Sequence, residues 1–185
     1  MNYILKPAAA LFITAVITVT LLSVVYNLTL VPIERQKQKT QEAAMSAVLP
    51  QAAGYRKIPA DISGSIVAVY EGEKNGNTAG YVIQLAREGY SGKIDLIVGI
   101  SAPDKKITGI RVLRHSETPG LGSLSVKENF YRQYDNKALS PLTVVRGVAP
   151  GEQEIAAITS ATITSRAITN AVNEAIAWYN GRSKQ

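Results

Sequence analysis

Residues 93–116 read KIDLIVGIS (93–101), APDK (102–105) and KITGIRVLRHS (106–116), two Ile- and Val-rich runs joined by a four-residue turn. Strand-like runs on so short a link pair antiparallel, because four residues are too few for the crossover of a parallel pair. The same arrangement occurs upstream. SIVAVYEG (65–72) and AGYVIQLAREG (79–89) flank EKNGNT (73–78), where Asn75-Gly76 offers a two-residue hairpin turn. Two hairpins in succession predict a mainly antiparallel sheet. A helix is expected near SVKENFYRQY (125–134), followed by strand-like LTVVRG (142–147). The last helix has the clearest signature. Ala167, Ile168, Ala171, Val172, Ala175, Ile176 and Tyr179 form one apolar stripe, with Gly181 placed as a C-terminal cap.

The N-terminal end follows a different pattern. PAAALFITAVITVTLLSVVYNLTLVPI (7–33) is uncharged between Lys6 and Glu34. As a helix it would reach ~40 Å, more than the ~30 Å hydrocarbon core of a bilayer. A cleaved signal peptide is the competing reading, but the apolar run exceeds the usual ~7–15-residue core and no A-x-A site follows closely. Arg35, Lys37 and Lys39 crowd the C-terminal flank, and by the positive-inside rule they favour a cytoplasmic domain. ERQKQKTQEAAMSAVL (34–49) reads as a helix leaving the membrane and stopped by Pro50. The expected architecture is α+β: an N-terminal tail and transmembrane helix (1–33), a juxtamembrane helix or linker (34–50), and one domain (51–185) with a mainly antiparallel sheet and flanking helices.

Composition narrows the chemistry. The 185 residues carry a formal net charge of +6, which suits anionic partners such as phosphates or membrane lipid. Nucleic acid fits poorly, since the basic residues are scattered, aromatics are sparse and no nucleic-acid motif appears. There is no cysteine and one histidine, His115. That excludes disulfides, a thiolate nucleophile, Cys-ligated iron–sulfur clusters, bis-His haem and the usual Cys/His zinc sites. An electron carrier in this chain would be organic. His115 lies near Glu117, but with no nucleophile-and-base constellation around it the residue reads as a surface or hydrogen-bonded structural histidine.

Three stretches stand out. EGYSGKIDLIVGI (88–100) places Gly89, Tyr90, Ser91 and Gly92 beside a strand, either as a plain turn or as backbone that lets a ligand come close. RHSETPGLGS (114–123) holds a Pro119-Gly120 turn and sets Leu121 between Gly120 and Gly122, where it could press against a flat ring. AITSATITSRAI (157–168) packs five hydroxyls, Thr159, Ser160, Thr162, Thr164 and Ser165, at the start of the last helix. One good cap would satisfy most of a helix start. The cluster is therefore either a Ser/Thr-rich turn or an anion site on free N–H groups at the positive end of the helix dipole.

TSATITSRAI resembles the flavin-attachment motif of the FMN-binding domain shared by the G subunit of Rnf electron-transport complexes and the C subunit of the sodium-pumping NADH:quinone reductase. In that family a Thr in a pattern like Asp-x-x-(Ser/Thr)-(Gly/Ser)-Ala-Thr carries FMN by a phosphoester. Matched residue by residue, the acceptor is Thr162, preceded by Thr159, Ser160 and Ala161; spacing alone leaves Thr164 open as well. HSETPGLG resembles the family's ring-side loop and brings in Glu117, Thr118, Gly120, Leu121 and Gly122. GYSGKI resembles its Gly-Tyr-(Gly/Ser)-Gly segment and brings in Tyr90, Ser91 and Gly92. Thr164 and Ser165 complete the expected cofactor-binding set, with no catalytic residue and no metal. The sequence departs from the pattern at Ala156, where the family has Asp; this bears on covalent attachment more than on flavin binding.

The resemblance implies covalently held FMN in an electron-carrying subunit of a membrane complex that couples ferredoxin–NAD electron transfer to Na+ or H+ translocation. It implies other membrane and peripheral Rnf subunits, a flavin transferase and membrane lipid as partners. It also implies a single-pass anchor in a bacterial inner membrane with the FMN domain extracytoplasmic, against the charge rule. The rivals are a quinone-reductase subunit, a membrane-tethered FMN sensor, and an anion- or lipid-binding domain without flavin.

Overall fold

The computed structural model describes residues 2–59 and 64–182. Met1 and residues 183–185, at the outer ends of the expected domains, lie outside the described residues. Two compact units are present, Met1–Gln41 and Glu42–Gln185.

In the first unit, helix α1 (Asn2–Val48) covers both the expected span and the expected juxtamembrane helix, and continues into the second unit. It is long and apolar enough to cross a membrane, with a mean hydropathy of 2.5 over its most apolar window. Several of its polar side chains bond to the helix's own backbone. The hydroxyls of Thr14, Thr18, Thr20 and Thr29 and the Asn27 amide each donate to a carbonyl three or four residues back. Such bonding lowers the cost of placing these hydroxyls and the Asn27 amide in lipid.

The second unit is built on a five-stranded antiparallel meander, β1 (Gly54–Ile58), β2 (Ile66–Lys74), β3 (Asn77–Glu88), β4 (Lys93–Ser101) and β5 (Lys106–Arg114), in that spatial order. Both expected hairpins are present. Lys74 pairs with Asn77 across Asn75 (φ 52°) and Gly76 (φ 79°), and Ser101 pairs with Lys106 across the 102–105 turn. β4 is buried along most of its length because the sheet is covered on both faces. Ile94, Leu96, Val98 and Ile100 join the core under the last helix, α3 (Thr162–Arg182). Ile97 and Val82 instead meet Met45, Val48 and Leu49, at and just beyond the end of α1.

Glycines create the seat for that chain end. A Cβ on Gly99 would lie 2.2 Å from the Val48 carbonyl oxygen, and one on Gly72 2.5 Å from the Leu49 side chain. The Thr108 hydroxyl donates to the Val48 carbonyl, which the helix end leaves unpaired.

All seven residues of the expected α3 stripe are buried. Gly181 lies within the helix, which runs on to Arg182, so it is not the expected cap. The helix expected over 125–134 reduces to one turn, α2 (Glu128–Tyr131), between 3-10 turns at Gly122–Val126 and Arg132–Tyr134. Lys127 breaks the run with extended backbone (φ −86°, ψ 149°). The strand expected at 142–147 shortens to β6 (Thr143–Val145), which pairs in parallel with β7 (Glu154–Ala156).

Tyr134 is fully buried, its hydroxyl 2.8 Å from that of Thr169. Burial pushes its phenol far above the ordinary value of 10.0, and the Thr169 hydrogen bond only partly opposes this. A raised folded-state pKa means the tyrosine's contribution is fully present below the unfolded value. It is lost as pH rises past about 10, by up to ~1.4 kcal/mol per pH unit. Urea midpoints of the full chain in detergent should therefore fall between pH 9 and pH 11. Tyr134→Phe should flatten that fall; an unchanged slope in the variant would assign it to other groups.

Candidate functional site

The site forms around one buried carboxylate. Glu117 follows β5 on the 115–122 loop and is 5% exposed. Its Oε1 accepts hydrogen bonds from the backbone N–H groups of Tyr90 (2.8 Å) and Ser91 (3.0 Å) on the loop between β3 and β4. Its Oε2 accepts from the Thr164 hydroxyl (2.5 Å) on the first turn of α3. One side chain thus joins three segments far apart in sequence. His115 supports the loop from beneath, its Nδ1 accepting from the Glu117 N–H at 3.2 Å. This is the structural role expected for it.

The glycines of these loops make room for the carboxylate. A Cβ on Gly89 would stand 2.4 Å from Oε1. One on Gly122 would stand 2.4 Å from Oε2 and 2.7 Å from the Thr164 hydroxyl. Gly120 differs: nothing lies within 4 Å of its missing Cβ, and its φ of +76° is what the turn requires. Gly89 and Gly122 make room for Glu117, and Gly122 also lines a cavity beside it.

A cavity of about 350 Å³ opens where the three segments meet. Tyr90 lines it from the first loop, Glu117, Thr118, Leu121 and Gly122 from the second, and Ser160, Ala161, Thr162, Ile163 and Thr164 from the third. Ser160 takes φ +60°, a left-handed conformation at the position where the attachment pattern takes Gly or Ser. The remaining expected residues do not line the cavity. The Ser91 and Thr118 hydroxyls lie 3.5 Å apart, and Gly92 closes the first loop by accepting from the Gly89 N–H at 2.9 Å. Thr159 faces a second cavity of about 400 Å³ with Leu124, Lys127, Phe130 and Gln133. Ser165 is fully buried; its hydroxyl accepts from the Ile158 N–H (3.0 Å) and donates to the Ala161 carbonyl (3.0 Å). It braces the 158–161 turn.

The two candidate acceptor hydroxyls have different surroundings. Thr164 is 1% exposed and its proton is directed at Glu117. Thr162 is half-buried, opens α3 and lines the cavity. The N–H groups of a helix's first turn lack intrahelical partners, so the end of α3 presents donors there. The cavity's apolar surface comes from Leu121, Ile163 and Tyr90, which are 40%, 55% and 70% exposed. Glu117 is the one charged side chain among the lining residues.

Two contributors escaped the sequence reading. Ile163 carried a signal, being apolar yet off the buried stripe of α3. Gln133 carried none. Its amide accepts from the Ala156 N–H (2.7 Å) and donates to the Ala156 carbonyl (3.3 Å), fixing the backbone at the position where the pattern has Asp.

Comparison with known proteins matches residues 89–177 to the FMN-binding domain family and residues 1–48 to the RnfG N-terminal region. The chain is 34% identical, over 98% of its length and 94% of the relative's, to a protein of Acetobacterium woodii. That protein is the G subunit of a Na(+)-translocating ferredoxin:NAD(+) oxidoreductase complex. It is also 34% identical, over 95% of its length and 91% of the relative's, to the G subunit of the proton-translocating ferredoxin:NAD(+) oxidoreductase complex of Clostridium ljungdahlii. Among solved structures it resembles the NqrC protein of Shewanella oneidensis (TM-score 0.52, 21% identity, 70% of this chain and 66% of that one). It also resembles the C subunit of the Na(+)-translocating NADH-quinone reductase from Parabacteroides distasonis (TM-score 0.61, 15% identity, 81% and 94%). The two structures share the expected fold.

Proposed function

Because the chain belongs to the RnfG family, the G subunits of ion-translocating ferredoxin:NAD(+) oxidoreductase complexes, we propose that Thr162 carries FMN through a phosphoester and that the flavin relays electrons between partner subunits. The protein is a flavoprotein subunit of an Rnf-type electron-transport complex, associated with the membrane. One observation carries the assignment: three separate segments converge on Glu117 around one cavity, where Thr164 is buried with its hydroxyl donated to Glu117 and Thr162 is only half-buried.

The residues present fit the cofactor. The first turn of α3 and its hydroxyls suit a phosphate, and Tyr90, Leu121 and Ile163 offer an apolar surface to a flat ring. When bound, FMN supplies reversible one- and two-electron transfer. Glu117 holds the ring-side loop against α3, and Ser165 and Gln133 hold the attachment turn. Covalent attachment joins Thr162 Oγ to the flavin phosphorus and releases the hydroxyl proton. Condensation with free FMN would have to expel water, so the donor is an anhydride-activated flavin dinucleotide whose other nucleotide leaves as its monophosphate. A flavin transferase performs that step. Thr162→Ala, co-expressed with such an enzyme, should stay at the apo mass while the parent chain gains one FMN minus water. An adduct on the variant would overturn the assignment.

Leu121→Asp tests the ring side. It places a charge on the apolar wall while leaving Thr162 and the helix start untouched. Flavin attachment should persist, with an altered absorption spectrum and a lowered reduction potential, since a nearby anion disfavours the added electron. Unchanged redox behaviour would remove Leu121 from the ring contact.

The FMN domain lies on the extracytoplasmic side of a bacterial inner membrane in this proposal, with other Rnf subunits and lipid as its partners. Lys74→Cys, on the exposed β2–β3 hairpin, gives the chain a single thiol. A membrane-impermeant thiol reagent should label it when it has access to the periplasm of otherwise intact cells. Labelling only after lysis would place the domain in the cytoplasm.

A further inference from the structure

The cavity has a charge imbalance. Its one charged lining residue is the Glu117 carboxylate, yet the ligand read for it carries phosphate. We propose that Arg166 supplies the missing cation and pairs with the flavin phosphate at Thr162; this rests on the flavin reading above. Arg166 stands four residues after Thr162 and three after Ile163, the spacings at which side chains share a helix face. Side chains on a helix lean toward its N-terminus, so the guanidinium can cover the turn that begins at Thr162. The residue is exposed, like Ile163 before it and Asn170 after it, and lies off the buried stripe.

Its freedom is the second observation. Among the described residues, Arg56, Arg87, Arg114 and Arg132 are paired with carboxylates, and Arg111 and Arg182 lie over aromatic rings. Arg166, like Arg35 and Arg146 elsewhere in the chain, has no hydrogen bond, ion pair or ring contact there. A guanidinium presents its donors as a fork matched to two phosphate oxygens, and nothing in the fold occupies this one.

The test uses the full chain in detergent, made without a flavin transferase and titrated with FMN and with riboflavin, which has the same ring and no phosphate. The parent chain should bind FMN more tightly than riboflavin, with about fivefold of that preference supplied by Arg166, the size of an exposed ion pair. Arg166→Ala should bring the two affinities together by weakening FMN alone, and Arg166→Lys should restore part of the difference. A change in both ligands together, or an unchanged ratio, would overturn the role of Arg166, since a purely structural arginine cannot distinguish them. In a second arm, intact mass follows transferase-catalysed loading, which should be slower in Arg166→Ala than in the parent. Equal loading rates count against the pairing. A parent chain that binds neither flavin and stays at the apo mass overturns the flavin reading, and this proposal with it.

Discussion

Glu117→Ala should cost the FMN domain about 3 kcal/mol or more, since three hydrogen-bond donors lose their acceptor at about 1 kcal/mol or more each. The alanine leaves the Tyr90 and Ser91 N–H groups and the Thr164 hydroxyl without their acceptor. It also opens a void beside Gly89 and Gly122, whose missing side chains make room for the carboxylate. Glu117→Gln separates shape from charge. Its carbonyl oxygen can still accept from both N–H groups, and its NH2 can donate to the Thr164 oxygen if that hydroxyl turns. The expected cost is about 1 kcal/mol, the scale of one weakened hydrogen bond. Urea midpoints of the full chain in detergent measure both. Equal losses for Ala and Gln would mean that the carboxylate's geometry is not what joins the three segments.

Gly99→Ala should be comparably severe for a different reason. The added methyl would stand 2.2 Å from the Val48 carbonyl oxygen and 2.6 Å from the Thr108 hydroxyl, so the chain end beyond α1 or the strand must shift. Overpacking of this kind costs about 1–3 kcal/mol, and loss of the Thr108–Val48 hydrogen bond adds about 1 kcal/mol. Gly76→Ala is the control. It meets nothing within 4 Å but sits at φ +79°, so it should lose only the ~1 kcal/mol of a left-handed backbone. Proteolysis near residues 49–53 should accelerate in Gly99→Ala and not in Gly76→Ala. Equal cleavage would mean that the close approach at Gly99 does not hold the Val48 segment in place.

The elements legible in the sequence were those that bury themselves by regular repetition. β4 reads as a nearly continuous apolar run because both of its faces are covered, and α3 shows its stripe because a single face packs. β1 was not legible: only Ile58 of its five residues is buried, and its place comes from pairing with β2. β6 and β7, three residues each, are too short to show a period, and their parallel pairing depends on contacts across the 146–153 loop. The candidate site divides in the same way. Its loops announce themselves through Gly, Pro and clustered hydroxyls. The work of Glu117 was hidden, because its partners are backbone groups 26 and 27 residues away and a hydroxyl 47 residues away.

Those separations impose an order on biogenesis. Residues 90, 91 and 117 emerge from the ribosome well before Thr164, and chains acquire structure as they are made. The carboxylate and its loop can therefore assemble first and wait for the last helix to dock. Until that helix docks, the cavity lacks the wall that Ser160 to Thr164 supply. On the proposed assignment of FMN to Thr162, loading follows docking, and the bound pigment records that the last segment has reached its place.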